Sequence, residues 1–81
     1  MSKIITHKIF STNLKNLRIR SNLTQSQLVS KLQLLGSQIS RSTYSMIEIG
    51  TRNIKVTDLV ALQQVYGVDY AEFFKGIPTH E

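Results

Sequence analysis

The stretch 23–52 constrains the fold most, because it contains two helix starts written with the same signals. Thr24 can cap a helix, and Gln27, three residues later, completes a capping box, in which two side chains satisfy free N–H groups of the first turn. Ser40 can cap a second helix in the same way. The apolar residues expected to pack across the two starts are Leu23 with Leu28, and Ile39 with Tyr44.

Apolar spacing elsewhere predicts three more helices, and no alternating pattern typical of strands competes with them. The first helix is expected from about Phe10 to Arg20, ended by Asn22 in the left-handed conformation. The second carries an apolar stripe of Leu28, Leu32 and Leu35. The second helix is expected to end at Gly36 and the third near Gly50. The fourth is expected from about Val56 or Asp58 to Tyr66, and the fifth starts at Asp69, in a capping box with Glu72.

The length of 81 residues indicates one domain, which we place at residues 9–76, with a flexible basic arm at 1–8 and a tail at 77–81. The arm is either an ordinary frayed terminus or a segment that reaches a minor groove. The chain has no cysteine, which excludes disulfides and thiolate metal sites and fits a cytoplasmic protein. We expect no metal and no cofactor. No apolar run approaches the roughly 20 residues that span a bilayer.

Charge is unevenly distributed along the chain. The net charge is +5, yet residues 1–47 contain no acid, and all five acidic residues lie from Glu48 onward. A one-sided basic surface attracts a polyanion, either nucleic acid or an anionic membrane, although it can also be merely solvated. We discount a membrane-surface role because the apolar faces are those needed for a core.

Several motifs in this order resemble the lambda-repressor-like, Cro-type helix-turn-helix family, also called the xenobiotic-response-element group. The resemblance covers residues 10–74 and implies an all-α, five-helix lambda-repressor-like DNA-binding domain. The sequence departs from the family pattern at 33–38, where the connection is longer than usual and either extends the second helix or enlarges the turn. The motifs are Leu14-x-x-Leu17-Arg18, Leu23-Thr-Gln-x-x-Leu28, the run from Ile39 to Glu48, Gly50-x-Arg52, and Leu62 through Tyr66-Gly67-Val68 to Phe73-Phe74.

The resemblance also implies a structural ion pair between Arg18, near the end of the first helix, and Glu48, near the end of the recognition helix. An exposed pair would add only about 0–1 kcal/mol. A partly buried pair would cost roughly 3–5 kcal/mol to break, because the remaining charge is stranded. Tyr44 is expected to pack its ring in the core while its hydroxyl finds a polar partner.

In helix-turn-helix proteins, the N-terminal residues of the recognition helix meet base edges, here in the helix 40–49. The expected base contacts are Arg41, Ser42, Ser45 and Met46, with Arg41 suited to guanine and Met46 to a thymine methyl. Phosphate contacts come from helix N-termini and loops. The candidates are Gln25, which matches a phosphate-binding position of the family, together with Ser40, Thr43, Arg52, Asn53 and Lys55.

A short helix contacts few base pairs, so two copies on half-sites about 34 Å apart are expected. The last helix is the predicted dimer surface, unless its apolar residues only close the core. Those residues are Val68, Tyr70, Phe73, Phe74 and Ile77.

The leading hypothesis is a sequence-specific transcriptional regulator of double-stranded DNA, most simply a dimeric repressor. The alternative is a controller protein of a restriction–modification system, or an antitoxin-type module whose partner is a toxin or another regulator. We do not expect an enzyme, because His7 and His80 lie at opposite ends of the chain. No carboxylate pair or Gly-rich phosphate loop is evident either.

Overall fold

A computed structural model describes residues 7–79, which form five α-helices and no strand. The all-α fold of five helices is therefore confirmed for this part of the chain. The helices are α1 (Lys8–Arg20), α2 (Gln25–Leu34), α3 (Arg41–Ile49), α4 (Val56–Tyr66) and α5 (Ala71–Phe74).

Helix α1 begins two residues earlier than predicted. The Ile9 N–H donates to His7 Nδ1 at 3.1 Å, so the imidazole caps the first turn. Of the arm expected at 1–8, Lys8 is the first residue of α1 and His7 is its N-cap, while residues 1–6 lie outside the described range. At the other end, Asn22 has a φ of +58°, the left-handed conformation that its position predicted.

The capping box at the start of α2 is confirmed. Thr24 Oγ1 accepts from the Gln27 N–H at 3.1 Å, and Gln27 Oε1 accepts from the Thr24 N–H at 2.9 Å. The apolar stripe is shorter than predicted, since Leu28 and Leu32 are buried but Leu35 is 49% exposed. The helix ends at Leu34, and the Leu35 N–H turns back to the Leu32 carbonyl at 3.0 Å, which takes the Leu35 side chain off the stripe.

The unusual connection between α2 and α3 is an enlarged turn of residues 35–40 rather than a full extra turn of helix. Gly36, with a φ of +99°, reverses the chain. Ser37 Oγ donates to Asp58 Oδ1 on α4 at 2.7 Å and accepts from the Ile39 N–H at 3.1 Å. Ile39 is buried, so the turn is attached to the core before α3 begins.

One apolar core joins the helices: α1 packs on α3 and α5, and α2 packs on α3 and α4. Each large apolar side chain buried there contributes about 1.5–3 kcal/mol. The core side chains are Phe10, Leu14, Leu17, Leu28, Val29, Leu32, Ile39, Tyr44, Ile47, Ile54, Leu59, Ala61, Leu62 and Phe73.

The C-terminal region is less regular than predicted. Helix α5 has four residues, and Asp69 Oδ1 accepts from the Ala71 N–H at 3.0 Å. The predicted capping box is wrong, because the Glu72 side chain does not complete it: Glu72 Oε1 lies 3.9 Å from Arg20 Nη2 instead. Ile77 packs against the core, so the folded part extends past the proposed boundary at 76; residues 80–81 lie outside the described range.

Candidate nucleic-acid interface

The N-terminus of α3 is built by a cluster of hydroxyl groups. Ser40, in extended conformation, accepts from the Thr43 N–H at 3.2 Å, which confirms it as the N-cap. Its Oγ donates to Thr43 Oγ1 at 3.0 Å and lies 3.2 Å from Ser42 Oγ. This arrangement leaves other N–H groups of the first turn free to bind an anion at the positive end of the helix dipole.

Helix α3 has a buried side and an exposed side. Tyr44, Ile47 and Glu48 face the core. Among the expected base-contacting residues, Arg41 and Ser42 are exposed, Met46 is 37% exposed and Ser45 is half-buried. The structure thus brings these four residues together on the side that faces away from the core.

The sequence analysis missed Ile49 on the same exposed side. Its side chain is 69% exposed at the last position of α3. The signal was available, because Ile49 follows Ser42 by seven residues, which is close to two helical turns.

Glu48 holds the rear of α3 through a buried carboxylate. Arg18 Nε donates to Oε2 at 2.7 Å and Arg18 Nη2 to Oε1 at 3.0 Å, a bidentate geometry that fixes both groups. The two side chains are only 12% and 4% exposed, respectively, so the pair is buried rather than a surface pair. The Tyr44 hydroxyl, in the core, also donates to Oε2.

These contacts change the acidity of the groups that make them. Burial acts to raise the pKa of Glu48, but the hydrogen bonds from Arg18, Tyr44 and Gln25 outweigh it and hold the pKa below its ordinary value. The hydrogen bond to Glu48 raises the pKa of Arg18. Burial, followed by the bond to Glu48, raises the pKa of Tyr44. The network therefore has its charges fixed at neutral pH.

Gln25 lies closer to this network than its expected role suggested. Its Nε2 donates to Glu48 Oε1 at 3.1 Å, and the side chain is half-buried. Since an amide carries two N–H groups, one is committed to Glu48 and the other is left for a phosphate. Gln25 therefore connects the start of α2 to the rear of α3.

A second close approach fixes the other end of α3. Ser11, 3% exposed on α1, donates from Oγ to the Ile47 carbonyl at 3.0 Å. Gly50 ends the helix with a φ of +95°, and a Cβ at this position would lie 3.3 Å from Ser11 Oγ. Both the conformation and the space favour glycine here. The C-terminal end of α3 is thus held against α1.

The remaining expected phosphate contacts lie beside the enlarged turn. Arg52 and Lys55 are exposed and Asn53 is half-buried. Together with Ser40 and Thr43, they line an open groove of about 510 Å³. The groove also contains the carboxylate of Asp58, which accepts from Ser37 Oγ at 2.7 Å. Five of the six expected phosphate contacts therefore share one surface depression, and Gln25 lies apart from it.

The expected dimer residues divide into two groups. Phe73 is fully buried, so its assignment to an interface is wrong: its ring closes the monomer core. Val68 and Ile77 are partly buried against that core. Tyr70 and Phe74 are 42% and 38% exposed, and the Phe74 ring stacks on Phe10 with centroids 5.6 Å apart. Of the five expected dimer residues, only Tyr70 and Phe74 leave a substantial part of an aromatic ring exposed to solvent.

Within residues 7–79, no group of three or more His, Asp or Glu side chains is arranged to hold a metal ion. None of the helices in that range combines the length and the apolar character that a membrane crossing requires.

Comparison with protein families places the chain in a known class. A helix-turn-helix family model matches residues 14–73, most of the chain. The chain therefore belongs to this lambda-repressor- and Cro-like helix-turn-helix family and is a DNA-binding regulator of that kind. No curated protein and no solved structure matches the chain.

Proposed function

We propose that the protein is a sequence-specific transcriptional repressor that binds double-stranded DNA as a dimer and inserts α3 into the major groove. One observation carries this proposal: α3 is fixed from behind by the Arg18–Glu48 pair while Arg41 and Ser42 stay exposed at its N-terminus. A rigid helix with a free polar flank suits base recognition, because the side chains are oriented before binding.

The proposed base contacts are made by Arg41, Ser42, Ser45 and Met46. Arg41 is exposed at the first helical position and can form the bidentate contact to guanine O6 and N7, worth about 1–3 kcal/mol of discrimination. The two serine hydroxyls discriminate weakly, because each can donate or accept. Arg41 is therefore the main determinant of polar specificity in this proposal.

The proposed phosphate contacts surround that helix. Arg52 and Lys55 supply charge beside the groove, and Asn53, Ser40 and Thr43 supply polar groups. Gln25 adds its second amide N–H from the start of α2. Such contacts fix the orientation on the duplex and make binding depend on salt.

Dimerisation is proposed through the surface of Tyr70 and Phe74, with Val68 and Ile77 at its base. Both residues carry exposed aromatic rings, and aromatic residues are enriched at protein interfaces. A two-fold dimer would place two α3 helices on half-sites about 34 Å apart. Phe74→Ser should raise the dimer dissociation constant at least tenfold in sedimentation analysis, whereas Leu34→Ser, at an 87% exposed site on α2, should not.

A second candidate function uses the same aromatic surface for another protein. The chain would then be a controller protein of a restriction–modification system or an antitoxin. The exposed rings of Tyr70 and Phe74 favour this candidate as well. A protein that stays monomeric at high concentration, yet forms a stoichiometric complex with the product of a neighbouring gene, would support it over homodimerisation. In both candidates the protein acts in the cytoplasm by binding rather than by catalysis.

Selection of bound duplexes from a random pool tests the main proposal. We expect an enriched two-fold symmetric sequence and a steep loss of affinity with salt. Arg52→Ala should reduce the salt slope by about one, while Lys75→Ala, at the C-terminal end of the domain, should leave it unchanged. Equal affinity for all duplexes would contradict the proposal, as would binding that is insensitive to salt.

A further inference from the structure

The exposed side of α3 changes chemistry along its length. Its N-terminal half presents a guanidinium and a hydroxyl, from Arg41 and Ser42. Its C-terminal half presents two apolar side chains, Met46 at 37% and Ile49 at 69% exposure. The side proposed to meet DNA is therefore polar at one end and apolar at the other.

Helix geometry places Ile49 almost in line with Ser42. Ile49 follows Ser42 by seven residues, which leaves it only about 20° from the same line and about 10.5 Å further along the axis. Met46 lies between them, four residues after Ser42. That length corresponds to about three base pairs, at roughly 3.4 Å each.

Packing within the protein does not account for Ile49. Tyr44 and Ile47 supply the core-facing side of α3 and are 0% and 2% exposed. The chain turns away at Gly50, directly after Ile49. The Ile49 side chain thus directs most of its surface outward from the helix that is proposed to enter the groove.

The major groove offers one apolar group to such a surface. Base edges there carry hydrogen-bond donors and acceptors, and only thymine adds a C5-methyl group. Met and Ile side chains have no hydrogen-bond donor with which to read the polar edges. They can therefore distinguish bases mainly through contact with that methyl group.

We propose that Met46 and Ile49 form an apolar strip that selects thymine methyl groups in each half-site, which makes Ile49 a specificity-determining residue. The inference rests on the proposed function. It gives the half-site a polarity: guanine at the end contacted by Arg41, and thymine about three to four base pairs away, at the end contacted by Ile49.

Replacement of thymine by deoxyuridine in the selected duplex tests the strip, since it removes the methyl group and keeps every hydrogen-bonding group. For the wild-type protein, we expect affinity to fall about three- to tenfold at one or two thymines of each half-site. Ile49→Ala should bind the thymine duplex as weakly as the deoxyuridine duplex at its position. Met46→Ala should do the same at a neighbouring position.

Ile19→Ala is the matched control, because Ile19 is 52% exposed on α1, outside the proposed interface. This variant should keep the full thymine preference. Specific binding with a thymine preference that Ile49→Ala and Met46→Ala leave intact would overturn the strip but not the proposed function. A selection that enriches no sequence would overturn both. Circular dichroism of each variant confirms that it is folded before its affinity is compared.

Discussion

Helices α3 and α5 both pack on α1, but they are held there by different forces. Besides the buried side chains of Tyr44 and Ile47, a polar contact holds α3, because Arg18 pairs with Glu48 at 2.7 Å behind it. An aromatic side chain holds α5, because Phe73 is fully buried in the core. Asn13 adds hydrogen bonds from Nδ2 to the Phe73 carbonyl at 3.0 Å and to the Lys75 carbonyl at 2.9 Å.

The difference extends to what each helix leaves exposed. Because Glu48 fixes α3 from the rear with directional bonds, the outer side of that helix is free to carry Arg41 and Ser42. Helix α5 has only one turn, so a single buried ring fixes it and the adjacent Tyr70 and Phe74 keep exposed faces. Directional bonds in a buried charged network fix the orientation of a helix. A buried ring such as Phe73 keeps α5 against the core without fixing its orientation as strictly.

Neighbouring phenylalanines give the largest expected effect on the α5 side. Phe73→Ala should lower the free energy of unfolding by about 3–5 kcal/mol, because it leaves a cavity in the core. Phe74→Ala, one residue along, should cost less, about 1–2 kcal/mol at a concentration where the protein is monomeric, because its ring is 38% exposed and only partly buried against Phe10. Urea unfolding followed by circular dichroism measures both. A loss of less than about 1 kcal/mol for Phe73→Ala would place Phe73 outside the core and remove the comparison.

Loss of the carboxylate tests the α3 side. Glu48→Ala should lower the free energy of unfolding by about 3 kcal/mol, since it strands the buried Arg18 charge and the Tyr44 hydroxyl. Glu72→Ala, at the 3.9 Å surface contact with Arg20, is the matched control and should cost less than about 1 kcal/mol. Thermal unfolding of the two variants decides whether the network stabilises α3 or only accompanies it.

A substitution on the exposed side of α3 should change DNA binding without changing the stability of the fold. Arg41→Ala should change the free energy of unfolding by less than about 0.5 kcal/mol, because its side chain is exposed. It should also remove about 1–3 kcal/mol of preference at one base position. Arg52→Ala, by contrast, should weaken binding to all sequences alike. Uniform weakening by Arg41→Ala would reassign this residue to the phosphates.

Acid should lower the free energy of unfolding by protonating Glu48. Near neutral pH, Glu48 should contribute no pH dependence. Because the folded pKa of Glu48 lies below its ordinary value of 4.5, the pair contributes stability above that value and loses it as pH falls through the folded pKa. Glu48→Gln, which cannot ionise, should lack this part of the pH dependence. Urea unfolding between pH 7 and pH 3 measures the two slopes, and identical slopes would contradict the assignment.

Much of the candidate site was predictable from local signals. The caps at Thr24 and Ser40 and the left-handed Asn22 follow from side-chain chemistry that acts within a few residues. The resemblance then supplied the Arg18–Glu48 pairing. The details that were missed, such as the exposed Leu35 and Ile49, depend on where a helix ends and how it is rotated against its neighbours.

By itself, the sequence determined the five helices, the capped starts of α2 and α3, and the family, because propensity, capping and apolar spacing are encoded in short segments. Tertiary structure alone decided that Gln25 would bond to Glu48, that residues 35–40 would be attached to α4 through Ser37 and Asp58, and that Phe73 would be buried. Each of these contacts joins residues far apart in the chain. Their geometry is fixed only when the helices pack together, and no local signal specifies it.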